Sequence, residues 1–167
     1  MDKEYILNEL KRNKEVYINL LSDLSEELIY WKPAEDKWNL LEIVCHLYDE
    51  EREDFRQRTD IILNNPEKEL PPIDPQGWVK SRKYSEKNFK EVLENFIEER
   101  NNSIKFVESL KNPNWKNSIN HKIFGEVTAE YFYYNWAAHD YLHIRQIINQ
   151  KLNYLKYKTG NPLSYAG

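Results

Sequence analysis

The sequence predicts an all-α fold, a four-helix bundle with long crossover connections. Four long segments repeat their apolar residues with the 3.6-residue period of an amphipathic helix, and no segment shows a convincing period of two. Long segments separate the predicted helices, and a connection of that length can cross from one end of a bundle to the other. No repeat or change of composition marks a boundary, so residues 1 to 167 are predicted to form a single domain.

The first predicted helix covers residues 2 to 24, and the second begins at Asn39 and covers residues 39 to 63. A capping box marks the start of the second helix, because the Asn39 side chain can cap the first turn while Glu42 reaches back to it. The apolar stripe of the first helix contains Leu7, Leu10, Tyr17, Leu21 and Leu24. That of the third helix, described next, contains Phe89, Leu93, Phe96, Ile97, Ile104 and Val107.

The third predicted helix covers residues 85 to 110, with Ser85 as its N-cap, and the fourth begins near Thr128 and ends near residue 152. The connections contain six of the seven prolines. Their proline content and tryptophans predict packed irregular segments rather than flexible linkers. The three connections are residues 25 to 38, 64 to 84 and 111 to 127.

Composition and charge exclude several classes of function. The 167 residues are 40% hydrophobic, enough to fill a core, and the net charge of -4 provides no basic field for nucleic acid or an anionic membrane. The N-terminus is charged from its second residue, and no stretch has the roughly eighteen apolar residues of a membrane span. We therefore expect a cytoplasmic protein that binds neither nucleic acid nor membrane. The single cysteine, Cys45, excludes a multi-cysteine zinc site.

Histidines occupy core positions of two predicted helices. His139 and His143 lie four residues apart on the stripe of the fourth helix, and His46 lies on a similar stripe of the second. Side chains four residues apart share one helical face, so two imidazoles can bind a single metal ion, and a third from a neighbouring helix completes the set. Three histidine ligands leave open positions on zinc, which is the arrangement of catalytic sites.

Other interpretations of these polar residues are open at this stage. A histidine on an apolar stripe is often a hydrogen-bonded core residue, and Arg100 on the third helix can form an ion pair with Glu51. The segment "HDYLH" is similar to the HExxH motif of zinc proteases, but no Asp, Glu or His follows His143 to act as a downstream ligand. Asp140 is instead expected to be an acceptor behind the metal ligands or part of a surface ion pair.

A family resemblance extends over most of the chain. The segments "WKPAEDKWNLLEIVCHLYDEERED", "FIEERNNSIKFVESL", "HKIFGEVT" and "AAHDYLHIRQI" occur in this order, and together they resemble the DinB-like superfamily of four-helix bundles, which includes the YfiT-like proteins. The resemblance implies that His46, His139 and His143 bind a divalent metal ion, commonly zinc or nickel.

The resemblance also implies an activity. Some members are similar to thiol S-transferases, which conjugate bacillithiol, mycothiol or glutathione to small electrophiles. In such an enzyme Arg100, with Arg52 or Arg56, would bind the carboxylates of the thiol. The alternatives are a metal-dependent hydrolase, with Glu50 or His121 as proton carrier, and a metal-stabilised binding module that does not catalyse a reaction. His121 is also a candidate to approach the metal from its loop, and helix faces of such bundles can pair to form a homodimer.

Overall fold

Four long helices form the bundle in the computed structural model, which describes residues 3–166. The second of them is continuous from Leu40 to Asn64, because a π-helical turn (Glu51–Arg56) joins α3 to α4. This architecture confirms the predicted four-helix bundle. In chain order the helices are α1 (Lys3–Leu21), α2 (Glu26–Tyr30), α3 (Leu40–Glu50), α4 (Gln57–Asn64), α5 (Pro75–Ser81), α6 (Phe89–Ser109) and α7 (Ala129–Thr159).

Helix α3 is the central element of the core. Nearly all of its residues are buried, since α2 and α5 cover the sides that α6 and α7 leave open. Its predicted capping box is confirmed, because Glu42 N donates to Asn39 Oδ1 and Asn39 N donates to Glu42 Oε2, both at 2.9 Å.

Several predicted helix ends were wrong. Helix α1 ends at Leu21 rather than residue 24, and its predicted start at Asp2 lies outside the described residues. Asn88 caps α6, whereas Ser85 lies in a short 3₁₀ turn, Tyr84–Glu86. Helix α7 continues to Thr159, where Gly160 adopts the left-handed conformation (φ 62°) typical of a helix C-terminus.

A two-stranded antiparallel hairpin precedes α7 and was not predicted. Strand β1 (Ser118–His121) pairs with β2 (Gly125–Thr128), so that Ser118 lies opposite Thr128 and His121 opposite Gly125. Strands this short contain too few residues for a recognisable period of two. The hairpin packs the last connection against the N-terminal end of α7.

The apolar side chains form a core that continues along the bundle. The largest cluster surrounds α3 and includes Tyr17 of α1, Phe96 of α6 and Ile147 of α7. Trp78 of the middle connection is buried in the same cluster, which confirms that this connection is packed. Within residues 3–166, no helix is both long and apolar enough to cross a membrane.

Candidate metal centre

Three histidine side chains from two helices meet in the interior of the bundle. The Nε2 atom of His46 on α3 lies 3.3 Å from that of His139 and 3.1 Å from that of His143, both on α7. The Nε2 atoms of His139 and His143 are 3.0 Å apart. The helical period that placed these residues on core stripes therefore also brings their rings together.

The size of this triangle fits a single metal ion. Zinc binds histidine nitrogen at about 2.0–2.1 Å, so nitrogen ligands lie about 3.3 Å apart in a tetrahedral site and about 3.0 Å apart in an octahedral one. The three observed separations lie between 3.0 and 3.3 Å. Among residues 3–166, no Asp, Glu, Cys or further His joins the group.

Hydrogen bonds between the rings cannot satisfy all three nitrogens. His143 Nδ1 lies 2.8 Å from Gln146 Oε1, an acceptor, which assigns the ring hydrogen of His143 to Nδ1 and leaves a lone pair on Nε2. Only His46 and His139 can then place a hydrogen on Nε2. At most two hydrogens are therefore available for the three close contacts between Nε2 atoms. A bound cation removes this conflict, because all three lone pairs can point at it.

The surroundings keep the histidines in the neutral form that binds metal. Burial lowers the pKa of His46 to about 3, and burial together with the neighbouring histidines lowers the pKa of His139. The pKa of His143 is also lowered by burial. Aromatic rings supply much of this apolar wall, since Trp38 lies 5.0 Å from His46 and Phe55 lies 5.0 Å from His139 between ring centroids.

The three histidines differ in burial. His46 is 6% exposed, whereas His139 and His143 are half-buried. Three protein ligands leave at least one coordination position of a bound zinc ion unfilled by the protein, in contrast to the four protein ligands of a structural zinc site.

Arg100 has an internal role instead of the predicted one. Its side chain is 1% exposed, and it donates to both carboxylate oxygens of Glu51 at 2.9 and 2.7 Å and to both of Asp140 at 2.7 Å. Its remaining N–H donates to the Leu10 carbonyl at 3.3 Å. All five donors are occupied, so the prediction that Arg100 binds the carboxylates of a thiol was wrong, and the alternative ion pair with Glu51 is confirmed.

The same network corrects the prediction of a surface ion pair for Asp140. Asp140 is fully buried, and besides Arg100 it accepts hydrogen bonds from Asn13 and Tyr17 of α1. Glu51 also accepts a hydrogen bond from Trp136 Nε1 at 2.9 Å. Because Asp140 directly follows His139, this network fixes the position of α7 at the histidine cluster.

Arg52 and Arg56 are paired with acidic residues of the protein. Arg52 donates to Asp49 at 3.0 Å and also contacts Glu53, and 34% of its side chain is exposed. Arg56 forms an ion pair with Glu99, and 21% of its side chain is exposed.

The two candidate proton carriers lie outside the histidine cluster. His121 lies in the hairpin, where its Nδ1 accepts from the backbone of Ile123 at 3.2 Å and its ring stacks on Phe124. Glu50 is 4% exposed, and one of its carboxyl oxygens has no hydrogen-bond partner within residues 3–166. Burial, reinforced by the charge of Asp54, raises the pKa of Glu50 to about 8.

Two features of the site were missed by the sequence analysis. Gln146 orients His143, and its position one turn further along the same helix was the available signal. The π-helical turn carries both Glu51 and Phe55, and π turns often occur at functional sites, but the sequence of this one has no recognisable signature.

Comparison with known proteins identifies the family of the chain. Residues 9–147 match the DinB superfamily. The chain belongs to the DinB superfamily. Within this fold it is similar to the structure of YfiT from Bacillus subtilis, with a TM-score of 0.78 and 15% sequence identity over 95% of this chain and 88% of that one. YfiT is described as a probable metal-dependent hydrolase with an unusual four-helix bundle topology. No match was found among curated proteins.

Proposed function

We propose that this DinB-superfamily protein is a metal-dependent enzyme in which His46, His139 and His143 hold one divalent ion, zinc or nickel. The observation that carries the proposal is the triangle of Nε2 atoms at 3.0 to 3.3 Å with no fourth ligand from residues 3–166. The description of YfiT as a probable metal-dependent hydrolase supports this class of function.

The preferred reaction is S-transfer from a low-molecular-weight thiol such as bacillithiol, mycothiol or glutathione to a small electrophile. A divalent ion in such a site would lower the pKa of a bound thiol towards neutrality. The protein has no cysteine thiol suited to the attack, since burial raises the pKa of its single cysteine, Cys45, to about 12. The attacking sulfur therefore has to come from a second molecule.

The protein's contribution is to orient the histidine rings and to shield them from water. Gln146 orients the ring of His143, and the rings of Trp38 and Phe55 shield the cluster. Arg52 and Arg56 were expected to bind the thiol's carboxylates. Both are partly exposed, Arg52 more than Arg56. Their contribution to thiol binding stays a prediction.

A panel of thiols tests the reaction. Purified protein is given 1-chloro-2,4-dinitrobenzene and one thiol at a time, and formation of the new C–S bond with loss of chloride is followed by absorbance. Thiol-dependent turnover that disappears in His139→Ala and persists in His121→Ala supports S-transfer. A rate that equals the uncatalysed rate with every thiol contradicts S-transfer.

Hydrolysis is the second candidate, and the protonated Glu50 favours it. Glu50 lies one helical turn from His46, and its raised pKa lets it carry a proton at neutral pH. Ester or amide cleavage without any thiol, lost in Glu50→Gln, would support this reaction. If neither reaction occurs while a chelator still lowers the melting temperature, a metal-stabilised binding module is the better description. The cytoplasmic location also stays a prediction.

A further inference from the structure

A second site lies away from the three histidines. A cavity of about 600 Å³ opens between the connection that follows α4 and the β-hairpin, and Phe132 of α7 forms part of its wall. Its volume is within the range of small-molecule sites, and most of its lining is apolar. The apolar wall residues include Leu70, Pro71, Ile73, Ile119, Ile123 and Phe124.

Arg58 lines this cavity with a free donor. The residue is 5% exposed, forms an ion pair with Asp54 through Nε, and donates from Nη2 to the Pro71 carbonyl at 2.9 Å. Within residues 3–166, Nη1 of Arg58 has no hydrogen-bond partner, in contrast to Arg100, whose five donors are all occupied. Nη1 is not fully buried, so a ligand can reach it, and an N–H of a charged guanidinium is a strong donor for an acceptor oxygen.

The charges around the cavity select for an uncharged ligand. Arg58 already has a counter-ion in Asp54. An anion that enters would add an unpaired charge to an apolar space, which is unfavourable. The charged residues of the lining balance one another in number. Three are positive (Arg58, Lys68 and Lys122) and three are negative (Asp54, Glu67 and Glu69).

We propose that this cavity binds a small uncharged molecule that has an apolar body and a carbonyl-type oxygen hydrogen-bonded to Nη1 of Arg58. The tip of the hairpin would cover such a ligand, since Ile123 and Phe124 are 80% and 61% exposed at the cavity rim. This binding site stands whether or not the histidine cluster is catalytic, because none of the three histidines lines the cavity.

Three probes with one shared body test the proposed hydrogen bond. They are 4'-(trifluoromethyl)acetophenone, which has the carbonyl, 4-ethylbenzotrifluoride, which lacks it, and 4-(trifluoromethyl)benzoate, which is charged. Fluorine NMR titration of the wild-type protein should give the ketone a dissociation constant about fivefold or more below those of the other two, the effect of one hydrogen bond. Equal dissociation constants for the ketone and 4-ethylbenzotrifluoride, or tighter binding of the benzoate, would overturn the proposal.

A variant then assigns the donor. Arg58→Lys keeps the positive charge beside Asp54 but removes the planar group. It should weaken binding of the ketone about fivefold or more and leave binding of 4-ethylbenzotrifluoride unchanged. Arg12→Lys on α1 should change the affinity for neither probe. Equal weakening of both probes would contradict the hydrogen bond. If Arg58→Lys does not fold, the wild-type comparison of the probes still decides.

Methyl labelling of isoleucine locates the ligand. Ile73, Ile119 and Ile123 line this cavity, whereas Ile18, Ile29 and Ile97 line a separate groove between α1, α2 and α6. Addition of the ketone should shift the methyl signals of the first three residues and leave the second three in place. Shifts confined to the second group would place the ligand in the other groove and overturn the assignment.

Discussion

The Nε2 atoms of His46 and His143 lie 3.1 Å apart although 97 positions separate the two residues in the sequence. Such a contact requires α3 and α7 to keep a fixed register. Arg100 provides it from α6, because it binds Glu51, which follows α3, and Asp140, which lies beside His139 on α7. The buried ion pairs and the histidine cluster therefore belong to one layer of the bundle.

Loss of Arg100 should destabilise the protein strongly. Arg100→Met leaves Glu51 and Asp140 buried without their counter-ion, and removing one partner of a buried ion pair costs about 3–5 kcal/mol. Urea unfolding followed by circular dichroism measures the change. Lys90→Met is the control, since Lys90 and its partner Glu94 on the same helix are 86% and 68% exposed, and its effect should stay within about 0.5 kcal/mol. Equal stabilities of the two variants would contradict the structural role of Arg100.

The stability of the fold should depend on the proton of Glu50. Burial raises its pKa to about 8, above the value of about 4.3 in the unfolded chain. The stabilisation from this protonated carboxyl is fully present below about pH 4 and is lost as the pH rises towards 8. Glu50→Gln, which stays neutral, should therefore exceed the wild type in free energy of unfolding by about 1 kcal/mol or more at pH 8 and match it near pH 4.

Chemical denaturation at a series of pH values measures this difference. The histidines titrate equally in both proteins, so their contribution cancels when the two curves are subtracted. Glu98→Gln, at an exposed position of α6, should follow the wild-type curve. A Glu50→Gln curve parallel to that of the wild type would contradict the prediction, because it would show that the pKa of Glu50 in the folded protein equals its value in the unfolded chain.

The sequence predicted the parts of the fold that repeat regularly. The period of 3.6 located the four long helices, and the same period placed all three histidines on core stripes. The capping box at Asn39 fixed one helix start, since both of its hydrogen bonds are local. Gly160 was an available signal for the end of α7 that the sequence analysis did not use.

The remaining features depend on contacts between distant segments. Nothing local to Arg100 shows that it meets Asp140 as well as Glu51, because this requires the packing of three helices. The π-helical turn and the short hairpin are likewise stabilised by tertiary contacts rather than by their own sequences. Arg58 was missed because its cavity forms only when two connections meet.

Gln146 should tune metal affinity without providing a ligand. Gln146→Ala removes the acceptor for His143 Nδ1, and loss of such a partner typically weakens metal binding about 10–100-fold. Competition with a chromophoric chelator gives the dissociation constant. Asn149→Ala, at an exposed position of the same helix, is the control and should keep the wild-type affinity. Equal affinities of both variants would exclude a role for Gln146.

The predicted homodimer should involve the outer face of α7. Ile148, Leu152 and Leu155 are 42% to 49% exposed and lie on one side of this helix. Leu152→Glu places a charge in the middle of this face and should shift the protein from dimer to monomer in sedimentation velocity experiments. Glu27→Gln, in an exposed ion pair on α2, should keep the wild-type mass. A monomeric wild type at micromolar concentration would contradict the prediction.

Metal content is the most direct test of the central claim. Elemental analysis of the purified protein should find about one equivalent of zinc or nickel per chain, lost in His139→Ala and retained in His121→Ala. A chelator should lower the melting temperature of the wild type and leave that of His139→Ala unchanged. A wild-type protein that binds no divalent ion when it is supplied, and that melts at the same temperature with and without chelator, would contradict the claim.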